Sequence, residues 1–242
     1  MDPISRRMWL AGALATLAAV AARREVHAAA VASEERTVGG FDAVLWDAAG
    51  ELSIAQANRD RLTVEAEPAV LARIVTEVRQ RRLHIGFAPG HLQTRQPIRF
   101  RLELKTLVAL ETRGSGSVRI GPLVTTALSL RMAGSEDVQL AQLNARTLDA
   151  RLEGSGELVI EGGQVDHQHV VIAGAANYTA LRMASRQAEV AIDGSGELRV
   201  AVAERLDARI TGSGNVFYRG QPRVLRTVTG AGEVRPADDE GR

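Results

Sequence analysis

Gly114-Ser115-Gly116-Ser117-Val118 returns in varied form at Gly134, Gly154, Gly174, Gly194, Gly212 and Gly230, at spacings of 20, 20, 20, 20, 18 and 18 residues. Self-similarity at this period means that one small unit is copied along the chain and that each copy needs its neighbours to bury its open edges. Between the corners apolar and polar residues alternate: Leu148, Ala150 and Leu152, then Leu158 and Ile160, with Asp149, Arg151, Glu153 and Glu157 between them. Period two is the signature of a strand with one buried face, and it excludes helix, where each glycine would also cost about 1 kcal/mol. Counting by twos from Leu148 passes through Gly154 and Gly156 to Leu158 without a slip. The corner glycines therefore point inward or sit at a bend where a β-carbon would crowd the next coil. They are Gly114, Gly116, Gly134, Gly154, Gly156, Gly174, Gly194, Gly196, Gly212, Gly214, Gly230 and Gly232, while Ser115, Ser155, Ser195 and Ser213 point outward. The pattern predicts an all-β chain wound as a parallel β-helix with 18–20 residues per repeat. Seven such coils, at about 4.8 Å per step, make a core about 30 Å long.

The repeats occupy residues 107–235. Residues 29–106 lack the corner but keep strand-like pieces such as Phe41 to Trp46, Leu62-Thr63-Val64 and Leu83-His84-Ile85, and no Pro/Gly/Ser linker separates them from the repeats. They read as irregular coils continuous with the solenoid, with a short helix over Ala69 to Val78 as the alternative. Residues 236–242 are a polar tail, expected to be disordered.

Residues 1–28 read as a cleavable signal peptide. Arg6 and Arg7 precede a fifteen-residue apolar run, Met8 to Ala22, and a bilayer span needs about 20 residues. Ser5-Arg6-Arg7-Met8-Trp9-Leu10 fits the twin-arginine export pattern, and Val26-His27-Ala28 offers small residues at a cleavage spacing. The chain is thus expected to be periplasmic or secreted, meeting the membrane only during export. Its formal net charge of +1 gives no electrostatic drive toward nucleic acid, and 3% aromatic residues supply no stacking platform for bases. The absence of cysteine excludes thiol catalysis, Cys-ligated zinc and disulfides together.

The Gly-Ser-Gly-x-Val/Leu corner after an alternating strand, introduced by Arg36-Thr37-Val38-Gly39-Gly40-Phe41-Asp42-Ala43-Val44 and followed by Leu83-His84-Ile85, resembles the head GIN domain family of auto-transporter adhesins. The likeness runs from about Arg36 to Val234. It implies an exported, right-handed β-helical domain, and it brings no catalytic residues with it.

Candidate chemistry is sparse. Three positions after each leading glycine stand Ser117, Asp137, Glu157, Asn177, Glu197, Asn215 and Glu233. Stacked about 5 Å apart, the carboxylates Asp137, Glu157, Glu197 and Glu233 are candidate metal ligands, although calcium wants six to eight oxygens and the solvated turn is the plainer account. Arg119, Arg199 and Arg235, five after the glycine, suggest ion pairs across coils. His167 and His169 share a strand face without a visible third ligand. The serines lack the Gly-x-Ser-x-Gly elbow, and their repetition argues for structure. A polysaccharide lyase or hydrolase would need clustered acids and bases on one outer face, and Asp149, Arg151, Asp193, Asp207 and Arg209 are the residues that such a face could gather.

These features favour a noncatalytic exported solenoid without cofactors, whose partner is an envelope or extracellular protein or glycan. A carbohydrate-active enzyme and a cation-dependent structural spacer are the alternatives.

Overall fold

The computed structural model describes residues 31–237, so the export signal with Arg6 and Arg7, and residues 238–242 of the expected tail, lie outside the described residues. Pro236, the first residue of that tail, instead ends the strand Glu233–Pro236 and is ordered by pairing with Tyr218. The chain is a right-handed parallel β-solenoid of about six turns. On one face, Leu143–Gly154, Gly163–Gly174, Asn177–Gly194, Glu197–Gly212 and Arg223–Gly230 stack in parallel, with Gly154, Gly174, Gly194, Gly212 and Gly230 in register. On a second face beyond the corner, Ser115–Ile120, Asp137–Leu140 and Glu157–Ile160 stack likewise and continue through Asn215–Arg219 to Glu233–Pro236. A short third side begins at Leu123–Val124. The sequence period is therefore the coil: residues twenty apart are spatial neighbours.

The alternation builds the interior directly. Leu152, Ile172, Ile192 and Ile210 form one inward column and Leu158, Tyr178, Leu198 and Val216 another, all at most 2% exposed, within one contiguous core. The change from 20 to 18 residues per coil has a location. Ala180 pairs with Val200 but Ala184 with Ala201, which removes three residues, and the step from Ser185 to Gln187 opposes Val202 to Arg205, which restores one. The corner is untouched, because the contraction falls on the third side.

The N-terminal residues are wound differently from a simple succession of coils. Ala43–Asp47 and Ala49–Gln56 stack against Ala109–Thr112 and Ser115–Ile120. Arg82–Phe87 and Arg99–Leu104, later in sequence, stack on the opposite side of that first coil. The chain reaches them through Arg61–Ala66, antiparallel to both Ala32–Arg36 and Arg99–Leu104, and through Ile74–Arg79, antiparallel to Arg82–Phe87. This end of the solenoid is thus closed by antiparallel strands. The alternative helix shrinks to one turn, Pro68–Leu71, and Ile74–Arg79 is a strand. Gln80 and Arg81, both at positive φ (49° and 62°), make a two-residue hairpin turn that returns the chain onto Arg82.

Candidate functional site

The glycine corner is built by close approach of backbones. A β-carbon on any of the twelve corner glycines would stand 1.8 to 2.7 Å from a carbonyl oxygen of the preceding coil. Gly194 is representative: its β-carbon would lie 2.2 Å from the Gly174 oxygen, and its φ of +136° disfavours any side chain. The serines between these glycines are exposed, with Ser135 and Ser155 hydroxyls 3.4 Å apart along the stack.

The oxygen-bearing column beside the corner is in register from Ser117 through Asp137 and Glu157 to Asn177, Glu197, Asn215 and Glu233. Its amides are committed to backbone. Asn177 Oδ1 accepts the Glu197 N–H at 3.2 Å, and Asn215 Oδ1 accepts that of Glu233 at 3.1 Å. Of the four carboxylates proposed as metal ligands, only Asp137 and Glu157 fall on adjacent coils, since Asn177 and Asn215 separate the rest. Among the described residues no group of three His, Asp or Glu side chains is placed to hold a metal ion.

Of the arginines alongside, Arg199 and Arg235 pair with Glu197 and Glu233 of their own strands instead of across coils. Arg199 bonds Glu197 at 2.5 Å, while the guanidinium groups of Arg199 and Arg235 lie 5.0 and 4.8 Å from the Phe217 ring centroid. Phe217 occupies the step between them, so cation–π contact replaces the expected cross-coil ion ladder.

The face that leads into the corner carries the more varied chemistry. Asp149, His169, Glu189 and Asp207 form one outward column, and Thr147, His167, Gln187 and Arg205 the next. These two ladders, four coils long, line a groove of about 370 Å³. His169 Nδ1 is 3.0 Å from Asp149 Oδ2. Arg205 donates to Asp207 Oδ2 at 3.0 Å, and the other oxygen of Asp207 is shielded from water without a partner. A second groove, of about 280 Å³, continues toward the last coil and shares Glu189, Arg205 and Asp207. Just outside, Arg151 and Arg131 both bond Glu153, and their hydrogen bonds hold its carboxyl below the ordinary range.

Asp149, Arg151, Asp193, Asp207 and Arg209 do share this face, but the solenoid spaces them out. Asp149 and Asp207 are three coils apart, about 14 Å at the strand spacing. Asp193 belongs to the column of Glu153, four positions further along the strand than Asp149, and Arg209 to that of Arg151. Gln187, Glu189 and Arg205, which the motifs did not single out, complete the groove. Adding the repeat length to Asp149 and His167 would have found them.

The sequence pattern of the family described as "Putative auto-transporter adhesin, head GIN domain" matches residues 40–222. No curated protein matches. Among solved structures, a "putative adhesin" from Bacteroides fragilis superposes with a TM-score of 0.82 at 20% identity, covering 86% of this chain and 97% of its own. One from Parabacteroides distasonis gives 0.70 at 19% identity, covering 87% and 98%. A "Putative lipid binding protein" from the same organism gives 0.68 at 25% identity, covering 86% and 97%.

Proposed function

The chain belongs to the head GIN domain family of auto-transporter adhesin type, and on that premise we propose that it is an exported, noncatalytic solenoid that serves as an adhesion or interaction module at the cell envelope or outside the cell. The observation that carries this reading is the registered stacking of polar columns on both outer faces over several coils. Such a stack offers one extended, preorganised surface, which suits recognition of a long partner. Catalysis by paired carboxylates finds less support. Glu189 and Asp207 are neighbours in one column, but Asp207 is engaged by Arg205, and the groove is shallow and open to water, where acid–base pairs gain little.

Export is tested by fractionation of cells carrying the chain with Arg6 and Arg7 both replaced by Lys. The expected result is retention of that variant in the cytoplasm while the native chain leaves it. Adhesion is tested by incubating the purified protein with envelope preparations and measuring retention together with release of sugar products. Retention without products is the expected outcome. Turnover that vanishes on changing Glu189 and Asp207 together would establish an enzyme instead.

A further inference from the structure

We propose that the groove between the two ladders binds an extended, uncharged β-1,4-linked glycan laid along the solenoid axis, one sugar per coil. This rests on the adhesion reading and deepens it by naming the site and the ligand class. Each of four successive coils presents two side chains with hydrogen-bonding capacity side by side: Thr147 with Asp149, His167 with His169, Gln187 with Glu189, Arg205 with Asp207. The coils repeat at about 4.8 Å, close to the advance per sugar of an extended β-1,4-linked chain, so successive sugars, turned over alternately, would each meet one of these pairs. An extended peptide repeats its same-side side chains at about 6.8 Å, out of step with the coils, and its backbone would seek a free sheet edge instead of a covered face.

The charge of the groove selects within glycans. Asp149, Glu189 and Asp207 face a single guanidinium, that of Arg205, inside it, and the excess of carboxylate disfavours uronic acid chains. The exposed carboxylates of Asp149 and Glu189 in this lining are acceptors that sugar hydroxyls can reach. No aromatic residue lines the groove, so affinity must accumulate over several coils, and the ligand must be long.

The test is calorimetric titration of the full chain with cellobiose, cellohexaose, chitohexaose and poly-β-1,4-mannuronate. The expected result is that at least one neutral hexaose binds, that cellobiose binds at least tenfold more weakly than cellohexaose, and that the polymannuronate does not compete. Glu189→Ala should weaken hexaose binding at least tenfold at an unchanged melting temperature, and Glu157→Ala, on the other face, should leave it unaltered. Hexaose binding that survives Glu189→Ala overturns the groove while leaving adhesion standing. Absence of hexaose binding overturns the ligand class; retention of the protein on envelope material then separates that failure from failure of the adhesion reading.

Discussion

The hydroxyl of Tyr178 donates to Oε1 of Gln168 at 2.9 Å inside the solenoid, where both side chains are buried. Gln168 passes the chain on, its Nε2 donating to the Ser185 hydroxyl at 2.7 Å, which donates to the Ala201 carbonyl at 2.7 Å. These buried hydroxyl and amide groups thus find partners, which is the condition for polar side chains to be tolerated in such a core. Burial pushes the ionisation of Tyr178 well above its ordinary value. The unfolded chain loses this proton above about pH 10 while the folded chain keeps it. The stability involved is therefore complete below that pH and declines as pH rises through it. Tyr178→Phe should cost about 1 to 3 kcal/mol at neutral pH by leaving Gln168 Oε1 unpaired. It should also flatten the alkaline fall in melting temperature, and thermal melts of both proteins at neutral and alkaline pH check both effects.

At the corner, Gly194→Ala should destabilise by more than about 2 kcal/mol, because the new β-carbon meets the Gly174 carbonyl oxygen and the backbone is at a φ that side chains avoid. Ser195→Ala, one residue on and exposed, should stay within about 0.5 kcal/mol. Urea unfolding of the two variants decides it. Equal losses would mean that the serine, not the close backbone approach, holds the corner.

The sequence exposes the solenoid because the repeat encodes two physical demands at once: inward parity along Leu148, Ala150 and Leu152, and the closeness of backbones at Gly154 and Gly156. The N-terminal winding was hidden for the opposite reason. Its coil of Arg82–Phe87 and Arg99–Leu104 covers an earlier one, a long-range choice that leaves no local mark. Its hairpin turn uses Gln80-Arg81 in place of the glycine or asparagine that normally signals positive φ. The groove was half legible. Asp149, His167 and His169 stood out by type, but Glu189 and Arg205 gain meaning only when the coil offset stacks them.

Glu136 stands where other coils place Gly116, Gly156 or Ala176, fully buried and with neither carboxylate oxygen hydrogen-bonded. The glycines of the flanking coils leave room for it but offer no side chain to satisfy it. Because Ala176 already fills this column while 2% exposed, Glu136→Ala should raise stability by about 1 to 3 kcal/mol, the cost of an unsatisfied buried polar group. Chemical denaturation of the variant checks the sign, and a loss of stability would show that the carboxylate has a partner in solution.

The two ends of the solenoid differ, and Arg226 accounts for the difference. Strands Ala32–Arg36 and Ile74–Arg79 run antiparallel over the N-terminal end, but among the described residues Arg223–Gly230 has a neighbour on one side only. The inward position that holds Ala150, Val170, Val190 and Ala208 in successive coils holds Arg226 in the last. Its Nη1 reaches 3.4 Å to the Val234 carbonyl on the second face, laying a charge across the open end beside the exposed Val228. An inward-pointing charge at a sheet edge opposes pairing with another chain, since stacking a further coil would bury it. Arg226→Val makes this end resemble an interior coil, with a free edge and an apolar lumen. The variant should therefore shift to larger species as concentration rises, relative to the native chain, in sedimentation or light scattering. Identical behaviour of the two proteins at every concentration would show that the end is kept from stacking by something other than this guanidinium.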